Sequence, residues 1–300
     1  MFLGQPLVGH NVNVPKRAVP IAIVRGAGDL GTGVAYRLWR CGFRVLCLDL
    51  ERPLVIRRSV AFASALYEGR ITVEGAQADR IYFADEAVYV WGNNGIPVMV
   101  DPEGRAISAI GPDVVVDAIL AKTNTGTHIT DAPVVIACGP GFSVGVDCHA
   151  VVETQRGHDL GRVLRQGSAQ PNTGLPGEIG GESARRVVRA PEAGIVVSRR
   201  AIGDRVKAGD LIAEIEVTSA ARDGARSGER KAVRHAEVRA TIDGILRGMI
   251  HDGIEVPGGL KLADIDPRAD VSHCYAISDK ALAIGGGVVE AALSMRAAYN

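Results

Sequence analysis

The run Pro20-Ile-Ala-Ile-Val-Arg-Gly-Ala-Gly-Asp-Leu-Gly31 leaves this chain few folds to adopt. An apolar strand over residues 21–24 meets Gly26-x-Gly28-x-x-Gly31, and a helical pattern follows through Trp39. Dinucleotide binding asks for that order. Gly26 permits the tight turn, Gly28 lets backbone N–H groups approach a pyrophosphate, and Gly31 lets helix and strand pack closely. The helix N-terminus, at Asp29 and Leu30, then offers unpaired N–H groups and a partial positive charge to an anion. A second apolar strand over 43–48 ends in Asp49, 18 residues after Gly31, where a carboxylate can accept from a ribose hydroxyl. In a chain with 37 glycines the spacing alone is weak; the strand, helix and acid around it give it meaning.

At 300 residues there is length for two or three cores. Lys plus Arg and Asp plus Glu are both 34, and that balance argues against a nucleic-acid or membrane footprint over the whole protein. Residues 185–239 lean basic, which reads either as a solvated arginine-rich surface or as a face for an acidic ligand. Residues 1–20 hold no apolar core of the signal-peptide kind, and no apolar run nears the ~18 residues of a membrane helix. Five cysteines without CxxC spacing indicate neither a disulfide framework nor a zinc knuckle. A reduced, cytoplasmic protein is expected.

After Asp49, Pro53 can open a helix through about Tyr67. Short Val- and Ile-rich runs at 97–100, 114–118 and 133–137 read as strands buried on both faces. The alternation predicts an α/β unit, a Rossmann-like doubly wound parallel sheet over residues 18–150, behind an N-terminal segment 1–17. Residues 151–186 are too rich in Gly and Pro for regular elements and read as a structured interdomain crossing. From 187 to 270 the texture is short β segments with Gly-Asp turns. Two half-motifs align there: Arg189-Ala-Pro-Glu-Ala-Gly-Ile with Ile202-Gly-Asp-Arg-Val-Lys-Ala-Gly, and Arg239-Ala-Thr-Ile-Asp-Gly-Ile with His251-Asp-Gly-Ile-Glu-Val-Pro-Gly. Such a repeat builds two interlocked hairpins and resembles the biotinyl/lipoyl-like barrel-sandwich domain. Carriers of that kind present a lysine at a tight hairpin between the halves. Here 217–238 form a long polar insert containing Lys231, so covalent biotin or lipoate is not expected and the barrel reads as a rigid platform. Residues 271–300 form a C-terminal helical segment that Ser278 can cap. The triple glycine 285–287 is either a costly interruption that lets another backbone or ligand approach, or a turn feeding a last helix from Val288.

A second glycine cluster, Cys138-Gly-Pro-Gly-Phe-Ser-Val-Gly145, directly follows the strand at 133–137. Gly139 and Gly141 either build a second anion nest, bracketing the far end of one dinucleotide, or simply turn the chain out of the sheet. Cys138 beside that nest is a weak nucleophile candidate, set against the reading of a small buried hydrophobe. His158 is the corresponding candidate for proton transfer. If Asp147-Cys-His149 is a strand, Cys148 faces away from the other two and the three cannot ligate one ion. The seven histidines show no HExxH or other ligand spacing, and no metal is expected.

Several motifs together carry a family resemblance: Arg25-Gly-Ala-Gly-Asp-Leu-Gly-Thr-Gly-Val-Ala35, Ile56-Arg-Arg-Ser-Val-Ala-Phe62, Glu68-Gly-Arg-Ile-Thr-Val-Glu-Gly75, Gly139-Pro-Gly-Phe142, Glu153-Thr-Gln-Arg-Gly-His158 and Asp264-Ile-Asp-Pro-Arg268. In combination, and over nearly the whole chain, they resemble the YqeB-type accessory proteins of the selenium-dependent molybdenum hydroxylase system. The resemblance implies a maturation factor for a hydroxylase of the xanthine dehydrogenase type, akin in function to XdhC-type factors but without their other domain. With the glycine fingerprint it points to a nucleotide-bearing cofactor such as molybdopterin cytosine dinucleotide, while the fingerprint and Asp49 by themselves would equally take NAD. Implied partners are an apo-molybdenum hydroxylase and other maturation factors; a homo-oligomer is left open, and the balanced charge and lack of a long apolar run lead to no expectation of nucleic acid or membrane. The alternative is an NAD-dependent oxidoreductase acting on a small polar substrate, with Asp49 opposing a 2′-phosphate and Arg52, Arg57 and Arg58 nearby. A non-enzymatic scaffold is the third reading.

Overall fold

Strand β1 (Ile21–Arg25) is buried along its whole length, with Ala22 and Val24 in one apolar cluster and Ile23 in another. A strand buried on both faces needs a layer above and a layer below, and the following elements supply both. The computed structural model describes residues 19–172, 181–182, 184–218 and 233–298. After β1 come α1 (Asp29–Arg40), β2 (Arg44–Asp49), α2 (Ala65–Glu68), β3 (Arg70–Val73), β4 (Ala76–Ile81), α3 (Ala87–Gly92) and β5 (Ile96–Val100). Then follow α4 (Arg105–Ile110), β6 (Val114–Asp117), β7 (Val134–Cys138), β8 (Ala150–Val152) and β9 (Val163–Leu164). In space the order is β3-β4-β5-β2-β1-β6-β7-β8-β9. Neighbours from β4 to β8 are parallel, while β3 and β9 close the two edges antiparallel. Because β1 lies between β2 and β6, the chain leaves it on one side and later returns on the other. A crevice opens at the carboxyl ends of strands at such a switch point.

The remaining strands form a second unit: β10 (Val187–Arg189), β11 (Gly194–Ser198), β12 (Arg205–Val206), β13 (Leu211–Thr218), β14 (Val233–Arg239), β15 (Gly244–Met249), β16 (Glu255–Val256) and β17 (Lys261–Asp266). They make two four-stranded sheets, β10-β17-β15-β12 and β14-β13-β11-β16, around one apolar cluster that includes Val196, Ile212, Ile215, Leu246, Leu262 and Ile265. The internal repeat is visible in the backbone. Gly194 and Gly244 hold equivalent places at φ +155° and +159°, and a Cβ on either would strike a carbonyl of the paired strand, Glu216 O or Asp266 O. Helix α5 (Asp279–Ala298) then returns to the first sheet.

Helices α1 and α5 cover the face carrying Ala22, Val45, Val114 and Val116, through Val34, Leu38, Ile284 and Val288. The opposite face, with Ile23, Leu46, Val115 and Val135, is covered by Ala87, Ala106 and Phe142. The triple glycine does not interrupt α5, which passes straight through it. A Cβ on Gly285 would lie 2.5 Å from Gly33 O, and one on Gly33 would lie 2.6 Å from Ala281 O. A Cβ on Gly287 would overlap Gly161 O. Close approach of another backbone is therefore the correct alternative for this segment. Arg37, one turn after Gly33, also faces Gly285, and Arg296 lies 5.6 Å over the ring of Phe43 beyond the end of α1. The two helices thus run parallel, with both N-termini at the same end.

The expected fold class is corrected to this description. The sheet is mixed rather than parallel throughout, and the C-terminal strands form two antiparallel sheets; neither the Rossmann-like nor the biotinyl/lipoyl-like assignment is retained. The edge strand β3 exists because Glu74-Gly75, at φ +47° and +82°, make a two-residue turn that folds β3 onto β4. The helix expected from Pro53 is replaced by irregular chain and two 3-10 turns, Arg58–Val60 and Phe62–Ser64, before α2. The sheet also continues past residue 150, through β8 and β9. Segment 1–17, most of Pro171–Gly181, and Lys231 with the centre of its insert lie outside the described residues. Among the described residues no helix is long and apolar enough to cross a membrane.

The two units are joined partly by His251, which stacks on Tyr67 at 3.9 Å between ring centroids. Arg58 can only donate, so His251 Nδ1 accepts from it at 3.3 Å and the neutral ring carries its proton on Nε2, buried without an acceptor. Burial, then the Arg58 charge, lowers the imidazole pKa from 6.5 to about 4. The folded state therefore binds fewer protons than the unfolded state in this window, and the stability present above pH 6.5 is lost as pH falls toward 4. His251→Phe keeps the stack and removes the titration, so thermal unfolding across that window should fall off less steeply than in the wild type. An equal slope in the two proteins would show that His251 is not the group responsible.

Candidate functional site

At the end of β1 the three glycines do three different things. Gly26 sits at φ +95°, donates to Leu48 O at 2.7 Å, and has no room for a Cβ because Ala118 O would be 2.7 Å away. Gly31 packs its Cα face on the Gly26 carbonyl, which any Cβ would overlap. Gly28 is the exception: its φ of −67° suits any residue, and a Cβ built there meets nothing within 4 Å. Its bare face is open space in front of α1, whose first-turn N–H groups no side chain caps.

The loop is held rigid around that opening. Asp49 Oδ2 accepts from Ala27 N at 2.7 Å and Oδ1 from Leu50 N at 2.8 Å. Thr32 Oγ1 donates to Ala27 O and accepts from Phe62 N, tying loop, helix and the following turn together. Burial raises the Asp49 pKa, opposed by those two backbone N–H groups. Asp49 is thus first a clamp on the glycine loop, which the ribose reading did not anticipate.

Because α1 and α5 are parallel and in backbone contact, the N-terminus of α5 opens beside that of α1. Ser278 caps it, accepting from Ala281 N at 3.2 Å. Two helix dipoles therefore converge on one crevice. Each first turn carries an acid already matched to a base. Asp29 pairs with Arg57 at 2.9 Å, and Asp279 pairs with Arg156 at 2.9 Å, which lowers the Asp279 pKa to about 2. Lys280 points into the same space against the favourable direction of the dipole, and burial, then Arg156, lowers its pKa.

The crevice is a cleft of about 1060 Å³ between the first sheet and the β10-β17-β15-β12 sheet. Arg25, Arg57, Arg156, Arg186, Arg247, Lys261 and Lys280 line it, against Asp29, Asp49, Asp101 and Asp264. Arg57 is buried; Nη1 serves Asp29 and Nη2 donates to His273 O and Ala276 O, each at 2.9 Å. Its Nε is buried with no acceptor among the described residues. At the β2 and β6 side the lining turns apolar, with Leu50, Leu54 and Ile119 partly exposed.

Of the residues singled out in the sequence, Gly26, Gly28, Asp29, Leu30, Gly31 and Asp49 meet in this cleft. Gly139 and Gly141 do not line it; only Pro140 between them does. They are glycines for the chain's own sake, at φ +82° and +102°, with Gly139 N donating to Val152 O and a Cβ on Gly141 falling 2.7 Å from Lys122 O. Turning the chain out of the sheet is the reading that fits. Cys138 is buried, and burial pushes its thiol far up, so it is no thiolate. His158 is exposed and outside the cleft. Asp147 accepts from Ser143 N and Asn124 Nδ2, and His149 Nδ1 accepts from Val135 N, so both are committed to backbone and loop. Among the described residues no group of three or more His, Cys, Asp or Glu side chains is placed to hold a metal ion.

The sequence reading missed Arg186, Arg247, Lys261 and Lys280 as site residues. One signal was available: Arg247 interrupts the apolar run Gly244-Ile-Leu-Arg-Gly-Met249 of a strand that is buried almost throughout.

No family model matches the chain. Solved structures similar to it include an aspartoacylase family protein from Mesorhizobium loti (12% identity, 83% of this chain and 85% of that chain, TM-score 0.24). The ectoine utilization protein EutE from Ruegeria pomeroyi matches with the same identity, coverage and TM-score. A succinylglutamate desuccinylase from Silicibacter matches at 13% identity, again over 83% and 85% of the two chains with TM-score 0.24. The molybdenum-hydroxylase maturation role, the NAD-dependent oxidoreductase alternative and the Rossmann plus biotinyl/lipoyl assignment are withdrawn here: the matched structures are an aspartoacylase family protein, an ectoine utilization protein and a succinylglutamate desuccinylase. None of those readings is carried further. At such TM-scores these structures do not lend the chain their own chemistry either. Among protein sequences, the uncharacterized protein YqeB of Escherichia coli K12 is 48% identical over 275 residues. That match takes in 92% of this chain and 48% of the relative, so the chain is similar to YqeB over most of its own length and spans about half the length of that relative.

Proposed function

We propose that the cleft binds a nucleotide-class ligand through its phosphates, seated over the N-termini of α1 and α5. The observation that carries this is Gly28, a glycine that neither backbone strain nor internal packing requires, at the mouth of an uncapped helix. Removing a side chain there leaves room for a phosphate to reach backbone N–H groups. The orphaned Nε of Arg57 supplies a donor still in need of an acceptor. Partly exposed Leu50, Leu54 and Ile119 give a base an apolar shelf on the β2 side. Both dinucleotides weighed from the sequence, molybdopterin cytosine dinucleotide and NAD, carry the diphosphate this arrangement suits. Binding, rather than a reaction, is the activity supported, because Cys138 and His158 stand outside the cleft.

Isothermal titration with ADP, CDP, NAD and the unphosphorylated nucleosides tests it. Micromolar binding of at least one diphosphate, with at least hundredfold weaker binding of its nucleoside, is the expected result. Equal affinity with and without the phosphates would overturn the proposal.

A further inference from the structure

Resting on that reading, we infer that the ligand carries a second oxyanion, of phosphate or carboxylate type, held by Arg247 and Lys261 on the β-sheet wall of the cleft. Arg247 on β15 is buried, and both it and Arg57 donate to the same carbonyl, His273 O, at 3.4 and 2.9 Å. Two guanidinium groups are therefore held side by side out of bulk water, where like charges repel more strongly than they would in solvent.

The acids nearby are already committed. Asp29 serves Arg57, and Asp264 is bonded to Arg186 with Lys261 at 3.7 Å. Asp266 accepts from Arg268 at 2.9 and 2.6 Å, and Arg247 makes no hydrogen bond to it, its Nε lying 3.8 Å from Oδ2. Both Nη groups of Arg247 thus have no hydrogen-bond acceptor among the described residues, on a side chain nine-tenths buried that lines the cleft. A buried guanidinium with an unused donor edge is matched by a bidentate oxyanion. Lys261 adds a second charge on the neighbouring strand β17. This wall belongs to the second sheet unit, whereas the phosphates of the proposed function belong to the first. The ligand would therefore bridge the two units.

The test titrates wild type, Arg247→Met and Gly28→Val with inorganic pyrophosphate in phosphate-free, low-salt buffer. Two molecules bound per chain are expected in the wild type. Arg247→Met should weaken one event at least tenfold and Gly28→Val the other. Arg247→Lys keeps the charge without the two-pronged edge and should bind between the wild type and Arg247→Met, and Lys261→Met, checked for native circular dichroism, provides a second route if Arg247→Met does not fold. A single event that Gly28→Val weakens and neither Arg247→Met nor Lys261→Met affects would overturn this inference and leave the proposed function standing. A single event lost in Arg247→Met and untouched in Gly28→Val would overturn the proposed function instead. No binding at all would overturn both.

Discussion

Gly285→Ala is expected to destabilise the protein by about 2–3 kcal/mol, although alanine is the better helix former. Propensity alone argues the other way, since replacing a helical glycine by alanine gains about 1 kcal/mol. Contact with the neighbouring helix reverses the sign. The new Cβ would lie 2.5 Å from Gly33 O and 3.0 Å from the Gly33 carbonyl carbon, and a helix backbone cannot rotate aside as a side chain can. Helices α1 and α5 would have to separate, and with them the two N-termini that face the cleft. Weaker ligand binding should therefore accompany the loss of stability. Gly286→Ala is the internal control. That glycine faces open space, so the propensity gain should appear undiminished, as stabilisation of up to about 1 kcal/mol. Urea unfolding of the two variants measures both signs. A Gly285→Ala protein more stable than the wild type would remove the close helix contact from the account.

How much of this was legible in the sequence depended on how local the cause was. The strand before Gly26 and the helix after it are specified by neighbouring residues, and the apolar runs at 97–100, 114–118 and 133–137 became β5, β6 and β7 for the same reason. The repeat in 187–270 was legible because both copies need glycine at one backbone position, Gly194 and Gly244. Long-range partners were not legible. Nothing within reach of residues 285–287 in sequence says that Gly33 and Gly161 lie against them. Without that contact the parallel pairing of α1 and α5, and so the second helix dipole at the cleft, could not be inferred.

The charged wall was hidden for a similar reason. Arg57 is far in the chain from Arg247 and Lys261, and it meets them only when the second sheet unit closes over the first. The second glycine cluster shows the converse failure. Gly139 and Gly141 have the composition of an anion nest, yet their positive φ values and the contacts with Thr154 and Lys122 account for both glycines without a ligand. Composition could not separate a glycine kept for its backbone from one kept for empty space.

That distinction makes Gly28→Val the sharpest test of the cleft. At φ −67° valine adopts the backbone without strain, and its Cβ meets no protein atom within 4 Å, so circular dichroism and the unfolding midpoint should match the wild type. The branched side chain would occupy the space in front of the first turn of α1, where a phosphate must sit to reach the N–H groups. Diphosphate affinity should fall at least a hundredfold, about 2.7 kcal/mol. Gly26→Ala and Gly31→Ala are expected to behave differently. Their Cβ atoms run into Ala118 O and Gly26 O, so they should lose stability along with binding. Binding lost with the fold intact at Gly28, and lost together with the fold at Gly26 and Gly31, is the pattern a phosphate-binding loop requires. If Gly28→Val keeps wild-type affinity in a folded protein, the loop is a packing device, and any ligand of the cleft is held elsewhere.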